Sequence, residues 1–510
     1  MNKPPIPPAP STHQRTRYTL AALAAVAALT VLLRLIRLGP SFNIFIDEVT
    51  YVQLARSAAD TFRLVLYDRP FYLHPPAYLY TLGGYLELVA PNADLLDQIY
   101  AARVLSVICA ALSAALLFLI ARRYAGWVGG AVVGGLFAWD PFVIRNNSLA
   151  LLDTPAMLWV LIGYALLVYG LPGDTPVAGT APFARWRTVA VGVAFGLALL
   201  TKDMITGLTV LPLLVCAVLG WALPRRTAAL AAGVAALVYS IYPLAVALAG
   251  DWASFAAQKT AGLQRVLGGV RITGLNRVGG PSLAERTLMR FDEFGPTYLI
   301  LALGTLAVLL LLSQRSAAAR LLAVWAGCAY LLLIVCGIFG TIEEQFFYWL
   351  VVSALPALAA AGALLGERFP TLPRATLRNV IAGLLVLSVG WSTWQWVRVH
   401  TTPDNGYEQA LDVIAGLPAG QKVAATSETG QFLLLANGRA SGPWGRWDDP
   451  AALQGERPDY LLVSTLQFTW DQGGAGAALL GWADSNGKLV LRVDGHRDDS
   501  ILLYNLRSQE

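Results

Sequence analysis

Long apolar runs recur along most of the chain, each ended by a short polar stretch before the next begins. They measure about 17 to 25 residues, enough for a helix to cross a hydrocarbon core of about 30 Å. About eleven such segments are expected, near residues 19–37, 102–121, 128–144, 152–170, 188–201, 205–223, 228–249, 297–313, 320–339, 346–365 and 379–397. Between the first two, residues 38–101 remain amphipathic, and Val49–Ala59 and Ala77–Leu88 predict helices lying along a membrane surface. A second long connection, 250–296, places Trp252 and Phe255 as interface anchors beside Lys259, Arg265, Arg271 and Arg277.

After Trp391, Trp394 and Trp396 the pattern changes to that of a water-exposed domain. Tyr407–Leu417 predicts a helix, and Lys422–Thr426, Tyr460–Ser464 and Lys488–Val493 predict strands. Asn437-Gly438 and Asn486-Gly487 are turn signals between them. The expected architecture is therefore an all-α polytopic membrane domain with surface-lying helices at 19–398. A disordered, Pro-rich cytoplasmic tail precedes it at 1–18, and a small C-terminal α/β domain follows outside the membrane at 399–510.

Composition supports the membrane reading. The chain is 56% hydrophobic and 14% charged, which excludes an ordinary soluble domain of this length. Its formal charge of +5 is no nucleic-acid signal, because the arginines are spread over short loops. That spread has an order. Arg15 and Arg17, Arg122 and Arg123, Arg185 and Arg187, Arg225 and Arg226, Arg315 and Arg320, and Arg368, Arg374 and Arg378 all fall on one side of the alternating topology. The positive-inside bias then predicts a cytoplasmic N-terminus and an extracytoplasmic C-terminal domain in the cell membrane. Cys109, Cys216, Cys328 and Cys336 sit in apolar runs and read as small buried hydrophobes. Leu20–Leu33 has no small-residue cleavage site and leads directly into Arg34 and Arg37, so no cleavable signal is expected.

Four polar clusters interrupt this pattern on the expected outer side: Asp47-Glu48, His74-Pro75-Pro76, Asp153-Thr154-Pro155 and Lys202-Asp203. Ionisable groups at the ends of membrane helices are costly, and charges of both signs converging on one face can form a reactive cavity. Structural readings compete with each. Asp47 and Asp153 are well placed as helix caps, Lys202 could snorkel from the end of a short span, and His74 could simply mark a helix start. Glu343 and Glu344 could be solvated loop charges. Arg37 suits either interface anchoring or contact with a phosphate. Asn146-Asn147-Ser148 fits a glycosylation acceptor, but so short a loop beside the membrane argues against its use.

Taken in order, Asp47-Glu48, His74-Pro75-Pro76-Ala77-Tyr78, Ala102-Arg103-Val104-Leu105-Ser106, Leu152-Asp153-Thr154-Pro155 and Gly196-Leu197-Ala198-Leu199-Leu200-Thr201-Lys202 resemble the membrane glycosyltransferases of the GT-C type. The branch resembled contains protein O-mannosyltransferases and lipid A aminoarabinose transferases, which use polyprenyl-phosphate-linked sugars. The resemblance implies transfer of a sugar from such a donor to an acceptor hydroxyl on an envelope glycan, lipid or protein, with inversion. It implies Asp47 as general base with Glu48 beside it, and Lys202, His74 and Arg37 at the donor phosphate. Asp153, Glu343 and Glu344 would bind sugar or acceptor. No cofactor is required, although a divalent metal near Glu343-Glu344 is conceivable, and no nucleic-acid partner is expected. Two residues depart from the family pattern: His74 stands where aminoarabinose transferases carry lysine, and Glu343-Glu344 where relatives often carry basic residues. The rival readings are a transporter or flippase of lipid-linked saccharide, which calls for charges at mid-membrane, and a noncatalytic envelope scaffold.

Overall fold

The computed structural model describes residues 12–171, 183–269, 274–276, 281–368, 374–440, 449–465, 475–496 and 500–507. The chain opens with α1 (Thr12–Leu35), so the second half of the expected disordered tail is already helical; residues 1–11 lie outside the described set. The amphipathic first connection folds as α2 (Ile46–Thr61), a short hairpin β1 (Val65–Leu66) and β2 (Arg69–Pro70), and α3 (Ala77–Val89). Both predicted surface helices are there. The hairpin was missed because its strands are two residues long. Its turn rests on Tyr67 and Asp68, both left-handed, at φ 50° and 61°.

The helical domain continues through α4 (Leu95–Trp139), α5 (Pro141–Ser148), α6 (Asp153–Gly170), α7 (Arg185–Thr201), α8 (Asp203–Leu219), α9 (Arg225–Leu248), α10 (Trp252–Val266), α11 (Leu283–Met289), α12 (Phe291–Leu312), α13 (Ala317–Ile338), α14 (Phe346–Arg368) and α15 (Arg374–Thr401). At 45 residues α4 would reach about 68 Å, twice what one crossing needs. Non-helical Ala125 and left-handed Gly126 break it into two segments, as the sequence pattern required. The second segment stops at Trp139, short of the expected residue 144, because Asp140 caps α5 by accepting from Val143 N and Pro141 opens that helix.

Each of the eleven expected segments holds a helix. Seven helices among the described residues are long and apolar enough to cross a membrane; α7 and α8 fall short at 17 residues each. The chain is thus a multi-pass membrane protein, while a count of eleven crossings is not established.

Small residues set the helix packing. Gly192 and Gly196, spaced four apart, present one face of α7 to α9, where added Cβ atoms would meet Val234 Cβ and Val238 Cβ at 2.5 Å each. This close approach lets helices associate by dispersion contact where lipid supplies no hydrophobic drive.

The C-terminal domain adds α16 (Gly406–Ala415), β3 (Val423–Ala425), α17 (Glu428–Ala436), α18 (Pro450–Glu456), β4 (Tyr460–Ser464), α19 (Ala475–Asn486), β5 (Lys488–Asp494) and β6 (Ser500–Asn505). Its sheet has the order β3-β4-β6-β5, parallel between β3 and β4 and antiparallel elsewhere. The three predicted strands are present. The sequence reading missed β6, whose core-facing Ile501 and Leu503 follow the charged stretch Arg497-Asp498-Asp499. The domain is clasped to the helical part by Tyr67, which stacks on Phe432 at 5.1 Å.

Gly192→Val is expected to destabilise the helical domain by about 1–3 kcal/mol through overpacking against α9. A lowered melting temperature of the purified protein in detergent would show it; an unchanged one would mean that the contact is not tight.

Candidate active site

The site begins with a helix start that does not use its first carboxylate as the cap. Glu48, wholly buried, reaches back to accept from Phe45 N at 3.1 Å and across to accept from Ala150 N at 2.8 Å. Arg103, equally buried on α4, grips both of its oxygens at 2.8 Å. The same guanidinium donates to the carbonyls of Leu38, Phe42 and Asn43. Glu48 therefore has no capacity left for a substrate. It positions its neighbour and is no part of the cavity lining.

Asp47, next along α2, is half-buried and hydrogen-bonded by Tyr51 one turn on. Burial pushes its carboxyl up to about 6; Lys202 pulls it down, while Asp153 and Glu343 push it up and Arg265 again lowers it. These residues come from α2, the α7–α8 joint, α6, α10 and the loop before α14, so distant segments of the chain meet at Asp47.

Lys202 sits at the joint of α7 and α8 in an extended conformation. Its ammonium is buried and donates to Asp153 Oδ2 at 2.6 Å and Gln345 Oε1 at 2.8 Å. Trp349 Nε1 donates to the other oxygen of Asp153 at 2.9 Å. An ammonium has three N–H groups, so one remains for an anion. Asp153 begins α6 and is also the counter-charge of Lys202, which makes the simple capping reading insufficient.

His74 does not act as a cation here. Burial, then Lys202, Lys259 and Arg265, depress its imidazole well below the ordinary range. Its ring lies edge-on to Tyr51 at 5.6 Å. The cations around it are the ones sequence reasoning left as interface neighbours: Lys259 and Arg265, both on α10. Lys259 pairs with Asp203 and donates to Leu73 O at 2.9 Å, holding the segment that carries His74. Their signal was present in the sequence as basic residues in an otherwise membrane-hugging connection, but their partners on α8 and in the 340–345 loop lie 56 and more residues away.

Glu343 pairs with Arg265 at 2.9 Å, and Glu344 pairs with Arg145 on α5. Both sit at the edge of the same cluster and are not isolated loop charges. Arg37 stands apart: it is exposed, left-handed at φ 52°, and its nearest electrostatic effect is on His400. The structure does not bring it to Asp47. Among the described residues no group of three His, Cys, Asp or Glu side chains is spaced to hold a metal ion.

This arrangement, a half-buried carboxylate of raised affinity for protons facing a group of cations at one end of a helical bundle, suits displacement of an anionic leaving group. A family model for dolichyl-phosphate-mannose-protein mannosyltransferases matches residues 76–264. The structure superposes on ArnT from Cupriavidus metallidurans bound to undecaprenyl phosphate with a TM-score of 0.58 at 15% identity, covering 98% of this chain and 99% of that one. It also superposes on the oligosaccharyltransferase AglB from Archaeoglobus fulgidus, in complex with an inhibitory peptide and a dolichol-phosphate. There the TM-score is 0.60 at 13% identity, over 93% of this chain and 73% of that one. The chain has the GT-C glycosyltransferase fold. No curated protein sequence matches it. Within this glycosyltransferase fold the family match runs from Pro76 through the Asp153 and Lys202 elements to α10, and Asp47 and Glu48 lie just ahead of it.

Removing either partner of the Glu48–Arg103 pair is expected to strand a buried charge. Arg103→Met or Glu48→Gln should cost about 3–5 kcal/mol of stability. The double variant should recover part of that loss in a thermal-unfolding cycle; strict additivity would argue that the two groups do not act as a pair.

Proposed function

We propose that this glycosyltransferase moves a sugar from a polyprenyl-phosphate donor to an acceptor hydroxyl, with Asp47 as general base. The observation that carries the reading is Asp47 itself, a carboxyl raised to about 6 within electrostatic reach of Lys202 and Arg265. The acceptor oxygen attacks the anomeric carbon as its proton passes to Asp47. The bond from that carbon to the phosphate oxygen breaks, and the lipid phosphate departs with the electron pair. A single displacement of this kind inverts the anomeric centre. A positioned base contributes about 10² to 10⁴ in rate, and fixed cations in a dry site stabilise the leaving phosphate. Lys202 has one N–H for that role, and Lys259 and Arg265 complete the cationic group around His74. Asp153 orients Lys202.

The lipid-linked donor is supported by the solved relatives, one holding undecaprenyl phosphate and the other a dolichol-phosphate. The charge order of the loops supports an active site on the outer face of the cell membrane, with the N-terminus in the cytoplasm. A nucleotide sugar is not supplied there, so a membrane-borne donor fits the compartment. The flippase reading is disfavoured because the charged cluster gathers at helix ends and in connecting segments, not at the centres of broken helices. A scaffold has no use for a buried lysine held beside a protonatable carboxylate.

With purified protein and a polyprenyl-phosphate sugar, Asp47→Asn is expected to lower transfer by at least 10²-fold while polyprenyl phosphate still binds; full activity in that variant would refute the base assignment. The rate should rise with pH through an apparent value near 6, because the working base is the deprotonated form. Lys202→Met removes a charge that favours the carboxylate, so the residual activity should show this limb moved to higher pH. A limb moved downward would contradict the assignment.

A further inference from the structure

The helical and C-terminal domains enclose a cavity of about 590 Å³ that the donor chemistry leaves unexplained. Its size is that of a small-molecule site, within the usual range of about 300–1,000 Å³. The wall includes Phe45 and Ile46, directly ahead of Asp47, and Glu343, which acts on Asp47 electrostatically. The far side is formed by the start of α17 and by His496 of the C-terminal domain.

His400 is the informative wall residue. It is only 3% exposed, and its Nδ1 lies 2.8 Å from Trp396 O. A carbonyl only accepts, so Nδ1 carries the proton. In a neutral ring Nε2 is then an acceptor. This buried nitrogen has no hydrogen-bond partner among the described residues. Burial lowers the imidazole to about 4, which keeps the ring neutral. Beside it, the ring of His400 stacks on Trp396 at 4.3 Å and 21°. An unmet acceptor against an aromatic pair calls for a ligand that offers both a hydroxyl donor and an apolar C–H face.

The charge on the wall narrows the class further. Glu293, Glu343, Glu344, Asp404 and Glu428 face one guanidinium, Arg145, which Glu344 already engages. A phosphorylated ligand would be repelled there, whereas a neutral polyol would find acceptors throughout. We propose that this cavity is the acceptor site and takes an uncharged saccharide, with a sugar hydroxyl donating to His400 Nε2 and a sugar face against the Trp396–His400 stack. This rests on the glycosyl-transfer reading above and adds the class of acceptor to it.

Calorimetric titration of the purified full chain with mannotriose and cellotriose, and with their 6-phosphates, tests the assignment. At least one neutral trisaccharide is expected to bind saturably and its phosphate at least tenfold more weakly. His400→Leu should weaken the neutral sugar at least tenfold, and His400→Gln, which keeps an acceptor atom, should recover much of that affinity. Should the leucine variant fail to fold, the glutamine variant against wild type and the phosphate comparison decide. Equal binding of the phosphorylated sugars, an unchanged affinity in His400→Leu, or no binding of either neutral sugar would overturn the proposal. Asp47→Asn separates the two readings: it should keep saccharide binding and lose transfer. Saccharide binding by a wild-type protein that performs no transfer would leave this site standing and remove the catalytic reading.

Discussion

The site depends on one buried ion pair. Arg103 of α4 and Glu48 of α2 exchange two hydrogen bonds at 2.8 Å with no exposure to solvent. Such a pair contributes little net stability compared with apolar packing of the same volume, because both charges must be taken out of water. What it supplies is location. Between them the two side chains bind carbonyls of the 38–43 segment, the first free N–H of α2, and the N–H of Ala150 just ahead of α6. Three segments that otherwise share only apolar contact are fixed in one register. Asp47 and Asp153 then stand on adjoining supports.

A second constraint follows from charge balance. The cluster holds Asp47, Asp153, Asp203, Glu343 and Glu344 against Lys202, Lys259, Arg145 and Arg265, and most of these groups are committed to partners. Asp47 is the carboxylate left with a phenol for company, and it is the one raised to about 6 by burial. The sign of the linkage is clear. A carboxyl whose native value exceeds its unfolded value of about 3.9 favours folding when protonated, and that contribution is lost as pH climbs from about 4 through 6. The protein thus gives up stability at neutral pH to hold a base in reserve, the usual relation between active-site strain and fold.

Much of this was legible in the sequence where the signal was local. Apolar run length placed the spanning helices, amphipathic spacing placed α2 and α3, and the acidic pair and Lys202-Asp203 marked the right helix ends. Pairings across long chain separations were not legible. Lys259 looked like an interface residue because its partner Asp203 lies 56 residues upstream, and Arg103 was seen only as part of a motif. Arg37 misled for the opposite reason. It lies near the first span's end like a phosphate ligand, but the left-handed backbone there turns it into solvent. The strand β6 was hidden behind a charged stretch that broke the apolar pattern ahead of it.

The pairing of Asp47 and Glu48 resolves what a doublet of carboxylates can do on one helix. Successive residues are about 100° apart around the axis, so they cannot serve the same face. In α2 this geometry assigns one to the protein and the other to the substrate. Glu48 faces α4 and is saturated by Arg103 and two backbone donors. Asp47 faces the charged cluster and keeps a proton-accepting oxygen. Exchange of their identities would not exchange their roles, since aspartate is one methylene too short to span from α2 to both Arg103 and Ala150. The order of the two acids is therefore a consequence of reach, and the longer side chain occupies the position where a strut is needed.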